Sequence, residues 1–480
     1  MRAWLQVPLA HNDPKCTETI ELHAEFVYKH VDATQDAKKL PSGELSANDL
    51  VNALGSLTSA LGPESQPTLT VYLCGGPGSD NPAFEYKELT KTLLTKMNTP
   101  VLYLNYRGTG SEKSDTKSSE HRVTATSLKR FEPEEAASRL MLYLQDSIVA
   151  DFEAVRLCLS QLYNKNIRFA LVGQSYGGWI AMTYLSFLPE SLAGVWLTGG
   201  MPPIGKTPDE VYRALYTQVV EMNKKYYDTY PGDVDLVWKI VQYLAKEDNG
   251  QGIQLSGGRR LTARGFLTMG RHLGGGMAGF AKFHQHVVGL EKERKNYQGL
   301  NDVDITGFRL SERPLYAVLH EAIYCGPGVK SNWAAQRVGI KVCKNYAWLD
   351  GKFDFSAGST PGLQKLYFSG EMIFDFMLPD AGQNEFDAVS KVLAQRNDWP
   401  AVYDLKVLKE NSVPLTALIY PDDMFVDFDL SRETAKKTLG SCKAIKAPLG
   451  WAHGYIKTNP DEVCAVLFDG KLAEHSAEIL

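Results

Sequence analysis

The chain has 480 residues, 44% hydrophobic and 22% charged, with 51 Lys+Arg against 56 Asp+Glu and a formal charge of −5. That length exceeds what one hydrophobic core organises and predicts two domains, or one domain with a large insertion. The composition excludes a disordered or fibrous chain, the absence of a basic surplus argues against nucleic acid as partner, and charges interrupt every apolar stretch before it could span a bilayer.

Met1–Pro14 lacks the basic start, apolar centre and small-residue cleavage site of a signal peptide. The seven cysteines, odd in number and without a C-x-x-C pair, suit free thiols in a reducing compartment, so the expected location is cytoplasmic. Thr17–Val27 has β-type composition, and the apolar run Leu69–Leu73 ends abruptly in Cys74-Gly75-Gly76-Pro77-Gly78. A helical stretch over Phe84–Met97 leads to a buried strand, Val101–Leu104, and one long amphipathic helix is predicted from Glu134 to about Tyr163. Two further apolar runs, Phe169–Val172 and Gly194–Leu197, read as strands. Asp32–Pro67 and Ser111–Arg130 are polar and read as surface excursions.

From Pro202 to Glu385 helical patterns, glycine clusters and aromatic residues replace the strand–helix rhythm, which returns with Leu415–Tyr420, a helix near Leu430–Leu439 and a closing segment over Trp451–Leu467. The expected architecture is α/β: a mostly parallel sheet with helices on both faces, interrupted by a mainly helical cap. The expected boundaries are 1–201 and 386–480 for the two parts of the sheet domain and 202–385 for the cap.

The sharpest local signal is Gly173-Gln174-Ser175-Tyr176-Gly177, where a strand pattern ends and a helical pattern, Ile180–Phe187, begins. A Gly-x-Ser-x-Gly turn at that junction lifts a serine above the sheet edge and aims the next backbone N–H, that of Tyr176, at a developing oxyanion. Gly75 and Gly76, also after a strand, offer backbone N–H groups for the second half of an oxyanion hole. Such a serine needs a base and a group that orients it, and these follow later strands in the order acid, then histidine. Of the two histidines beyond the returning strands, His475 lies in a polar tail, whereas His453 sits in a glycine-flanked loop and is the expected base. Asp422 and Asp423 both follow the strand Leu415–Tyr420, and spacing alone does not separate them. No metal cluster emerges: His284 and His286 face one side only on a strand, and His320-Glu321 lacks the rest of H-E-x-x-H.

The chain resembles the proline iminopeptidases, in their larger type, a branch of the α/β-hydrolase family. The matching stretches are 75–78, Tyr106-Arg107-Gly108-Thr109-Gly110, Asp146-Ser147-Ile148-Val149, 173–178, His320-Glu321-Ala322-Ile323-Tyr324-Cys325, Gly370-Glu371-Met372 and Asp422-Asp423-Met424. They span nearly the whole chain; Gly-x-Ser-x-Gly is generic to the fold, while His-Glu-Ala-Ile-Tyr-Cys is particular to this branch. The resemblance implies an α/β-hydrolase fold with a cap, Ser175 as nucleophile, His453 as base and Asp423 rather than Asp422 as acid. It also implies that cap carboxylates at Glu321 and Glu371 hold the free amine of a small peptide substrate, with no cofactor and no metal. Tyr324, Trp333 and Phe374 are candidates to wall a proline pocket, or simply cap core. The departures are Cys74, where many relatives carry His, and Asn105, where an acidic residue is usual beside Arg107. An esterase or amidase, a broader aminopeptidase, or a non-catalytic protein of the same fold are the competing readings.

Overall fold

The structure, a computed structural model, describes residues 2–28, 66–110, 122–255, 259–293, 310, 313–357, 364–437, 439, 441–470 and 478–479. In chain order its strands are β1 (Arg2–Pro8), β2 (Thr19–Val27), β3 (Thr68–Leu73), β4 (Val101–Leu104), β5 (Arg168–Gln174), β6 (Leu192–Thr198), β7 (Ile253–Gln254), β8 (Arg260–Leu261), β9 (Leu415–Ile419), β10 (Lys443–Lys446) and β11 (Glu478–Ile479). Nine of them form one sheet in the order β1-β2-β4-β3-β5-β6-β9-β10-β11, while β7 and β8 make a separate two-stranded pair. From β4 to β10 every pairing is parallel; β1, β2 and β11 add antiparallel margins.

The central strands read as unbroken apolar runs because both sheet faces are covered. Val101–Leu104 is buried throughout, and β3 from Leu69 onward likewise. Phe169 meets Tyr184 of the helix Tyr176–Phe187, whereas Trp196, in register with Val172, meets Phe468 of the helix Pro460–Asp469. Residues 169 and 172 point to opposite sides of β5, so these two helices lie on opposite faces of the sheet. The expected α/β architecture is therefore present as an α/β-hydrolase sheet with a helical cap.

The helix expected from Glu134 to Tyr163 is two helices. Pro133–Leu140 passes through a short 3-10 turn to Leu144, which is extended (φ −91°, ψ −178°), and Gln145–Tyr163 starts afresh. The polar stretch 111–130 holds a helix, Ala125–Leu128, closed by a reciprocal Thr124–Ser127 capping box with Leu128 buried. Most of 32–67, and His475, fall outside the described residues.

Between β6 and β9 helices dominate, among them Pro208–Thr229, Asp233–Lys246, Gly276–Glu293, Ala334–Val342 and Asn384–Gln395. Their core is aromatic: Phe283 packs edge-on to Phe368 at 4.7 Å and Tyr216 on Tyr346 at 4.9 Å. Among the described residues no helix is long and apolar enough to cross a membrane.

Candidate active site

Parallel register brings the chemistry to one edge. Leu73 pairs with Gly173, Gln174 with Thr198, and Thr198 with Leu418, so β3, β5, β6 and β9 finish side by side. Sites in parallel sheets form in the crevice beyond such carboxyl ends. Ser175 follows β5, Asp423 follows β9, and His453 follows β10 in a turn before the helix Tyr455–Thr458.

Ser175 adopts φ 56°, ψ −126°, a strained conformation for a residue with a side chain. The fold keeps it there by backbone contact. A methyl group on Gly177 would stand 2.1 Å from the Leu73 carbonyl oxygen, so the turn closes onto the end of β3 only with glycine at that position. A Cβ on Gly75 would lie 3.2 Å from that of Ser175, and one on Gly76 would lie 3.4 Å from the Tyr176 ring. The two glycine segments singled out in the sequence thus lie against each other.

His453 Nδ1 is 2.7 Å from Asp423 Oδ2, and the backbone N–H groups of Phe425 and Val426 donate to Asp423 Oδ1 at 2.8 and 3.1 Å. These bonds fix the carboxylate, which in turn fixes the imidazole, whose edge also meets the Phe425 ring at 5.0 Å. Asp422, left open by spacing, is a third exposed and sits 3.5 Å from Lys225. Ser175 and His453 line one cavity of about 160 Å³, together with Gly75, Gly76, Gln174, Tyr316 and Glu371.

The two cap glutamates differ. Glu371 lies on the cavity wall, 3.4 Å from His320 Nε2 and 3.9 Å from Arg271 Nε. Burial raises its pKa, but the hydrogen bond from His320 and the Arg271 charge outweigh that and hold it below the usual carboxylate range. His320 is held in turn by Tyr212, whose hydroxyl is 3.2 Å from Nδ1. Glu321 is fully buried and is not among the lining residues; its carboxylate accepts the N–H groups of Ala334 and Ala335 at 3.2 and 2.9 Å, where the helix Ala334–Val342 begins. Desolvation pushes its pKa upward. Glu321, named beside Glu371 as a possible partner of the substrate amine, thus has both carboxylate oxygens engaged by a helix amino terminus.

Tyr86 and Tyr316 face the cavity, while Tyr324 packs on Trp179 and Tyr212, and Phe374 on Phe376 and Trp348. Neither Tyr324, Trp333 nor Phe374 is a lining residue. Arg107, deprived of an acid at Asn105, pairs through two nitrogens with Asp151 at 2.8 and 2.7 Å and donates to the carbonyls of Leu9 and Leu142. No motif announced Asp151. Asn105 accepts the N–H of Asn81 instead. Cys74 is buried, and burial pushes its thiol up to about 12, so it offers no second nucleophile.

The chain is 34% identical to a proline iminopeptidase of Aeromonas sobria over 369 residues, 76% of this chain and 79% of that protein. It is 29% identical to a proline iminopeptidase of Aspergillus aculeatus over 409 residues, 83% and 84% of the two. The solved proline iminopeptidase of Mycobacterium smegmatis aligns over 98% of this chain and 97% of that one, at 12% identity and a TM-score of 0.40, a likeness too loose for inference. No family model matches the chain.

Proposed function

The chain belongs to the proline iminopeptidase family, and on that premise we propose that it is a serine exopeptidase releasing amino-terminal proline from peptides. His453, oriented by Asp423, takes the Ser175 proton as Oγ attacks the prolyl carbonyl. The N–H of Tyr176 and that of Gly75 or Gly76 receive the oxyanion. His453 then protonates the departing amine, water enters with His453 as base, and proline leaves as the acyl-enzyme hydrolyses.

The observation that carries this reading is the ionised Glu371 on the wall of the cavity that holds Ser175 and His453. A carboxylate so placed gives a charge-assisted hydrogen bond to a free terminal ammonium, a group esters lack. Glu371 is the direct amine partner, and Glu321, one residue from His320, acts behind it by fixing the helix Ala334–Val342. Residues 1–201 and 386–480 form the hydrolytic core, and 202–385 the cap that reads the amine. The dilute free cysteines favour the cytosol as its place of action.

A fluorophosphonate probe tests the nucleophile: it should label one serine per chain, and Ser175→Ala should abolish labelling. A folded wild type that resists the probe overturns the proposal.

A further inference from the structure

Glu371 reads one end of the substrate; the same cavity carries cations that this role leaves unused. Six charged side chains line it besides His453: Asp80, Glu85 and Glu371 against Arg271, Arg313 and Lys457. The wall is balanced in charge. A wall built only to hold a cationic peptide terminus would be acidic; a balanced one suits a ligand that carries both signs.

The charges are placed unevenly. Arg313 is committed to Asp80 at 3.2 Å, and Arg271 leans on Glu371 at 3.9 Å. Lys457 pairs with no carboxylate within 4.0 Å among the described residues; its ammonium stands 6.0 Å from the centre of the Tyr86 ring. Lys457 is four residues beyond His453, on the helix Tyr455–Thr458. In the proposed reaction His453 protonates the leaving nitrogen, and Lys457 lines the same cavity as His453. In a dipeptide the leaving residue ends, two bonds past its nitrogen, in a carboxylate. The volume of about 160 Å³ is about half the lower limit of roughly 300 Å³ for clefts that take drug-sized ligands. It leaves space for little beyond a prolyl group and one further residue.

We infer that the site selects short zwitterionic peptides, prolyl dipeptides above all, with Lys457 receiving the free carboxylate of the leaving residue. The inference rests on the amino-terminal proline reading above and adds a second recognition point to it. Glu85, which lines the same cavity and forms no ion pair within 4.0 Å among the described residues, repels a misplaced carboxylate and so sharpens register toward Lys457.

The test compares kcat/KM for prolyl-alanine, prolyl-alaninamide and prolyl-alanyl-alanine in wild type, Lys457→Met and Lys457→Glu. Wild type should favour the dipeptide over its amide by about tenfold, the scale of one charge-assisted hydrogen bond at a partly solvated site. The tripeptide, whose carboxylate lies one residue further out, should behave like the amide. The acid-to-amide ratio should fall to about 1 in Lys457→Met and below 1 in Lys457→Glu. Because both rates come from one preparation, the ratio does not depend on the folded fraction. A wild-type ratio near 1, a ratio unmoved by both substitutions, or a tripeptide favoured as strongly as the dipeptide overturns the role of Lys457. Failure to cleave any of the three overturns the peptidase reading instead.

Discussion

Gly178 and Gly200 meet backbone to backbone: a methyl group on Gly178 would stand 1.7 Å from the Gly200 carbonyl oxygen. The helix that carries the Ser175 turn is seated against the loop after β6 with no space for a side chain. Neither glycine belongs to the Gly-x-Ser-x-Gly pattern, yet the seat they form holds the strained serine in place. Gly178→Ala should lower unfolding free energy by about 3 kcal/mol or more, since backbone cannot give way as a flexible side chain does. Gly289, within the helix Gly276–Glu293, has nothing within 4 Å of its absent Cβ. Gly289→Ala should raise stability by about 0.5–1 kcal/mol. Urea melts of the two variants measure both.

Asp423 and Asp422 are neighbours with different fates. Asp423→Asn keeps the shape but presents an amide to His453 Nδ1, and the imidazole loses the charge that stabilises its protonated form. The expected loss in kcat is about 10³–10⁴-fold. Asp422→Asn, which breaks a half-exposed contact with Lys225, should stay within about twofold of wild type. Steady-state rates on a prolyl anilide separate the two.

Glu371 and Glu321 should fail in different ways. Glu371→Gln should raise KM for a prolyl anilide by about tenfold or more, the scale of a lost charge-assisted contact, while leaving the melt near wild type. Because the Glu371 pKa is lowered, the group stays ionised below the ordinary carboxylate range. The acid limb of kcat/KM is therefore not its titration and should keep its position in the variant. Glu321→Gln should show chiefly as a stability loss of about 1–2 kcal/mol, since it exchanges a helix-capping acceptor for a group that also donates.

Asp380, which is not among the residues lining the cavity, gives the protein a measurable pH dependence. Desolvation lifts its pKa from 3.8 to about 6, against the opposing Thr262 hydrogen bond and the charges of Arg264 and Arg260. The native state thus holds a proton that the unfolded state releases near pH 4. Its contribution to stability is fully present below that value and is lost as pH rises through about 6. Asp380→Asn mimics the protonated form at every pH. The stability of wild type relative to the variant should fall by about 1–2 kcal/mol between pH 4 and 6, as urea unfolding at each pH will measure.

The central strands were legible because both faces are buried, which makes Leu69–Leu73 and Val101–Leu104 plain apolar runs. The strands β1 and β10 were not: Arg2–Pro8 is a half-exposed margin of mixed character, and Lys443–Lys446 is four residues bounded by lysines. The break at Leu144 hid inside the apolar run Leu140–Leu144, where no glycine or proline marks a stop. The Ser175 turn, Gly75, Gly76 and His453, which the structure brings to one cavity, stand out in the sequence because each depends on local chemistry or chain order. The choice between Asp422 and Asp423 came from resemblance, and the structure distinguishes them by what each side chain touches. Asp151 under Arg107, and the cations around the cavity, depend on contacts between distant segments that no local pattern records.

Hydrolysis of the bond after a free amino-terminal proline is put to the test by comparing prolyl anilide with its N-acetylated form across wild type, Ser175→Ala and Glu371→Gln. Wild type should cleave the free-amine substrate at least 10²-fold faster than the acetylated one, roughly the value of pairing a buried charge. Ser175→Ala should cleave neither, and Glu371→Gln should lose most of the discrimination. Equal cleavage of free and acetylated substrate by wild type would contradict the account.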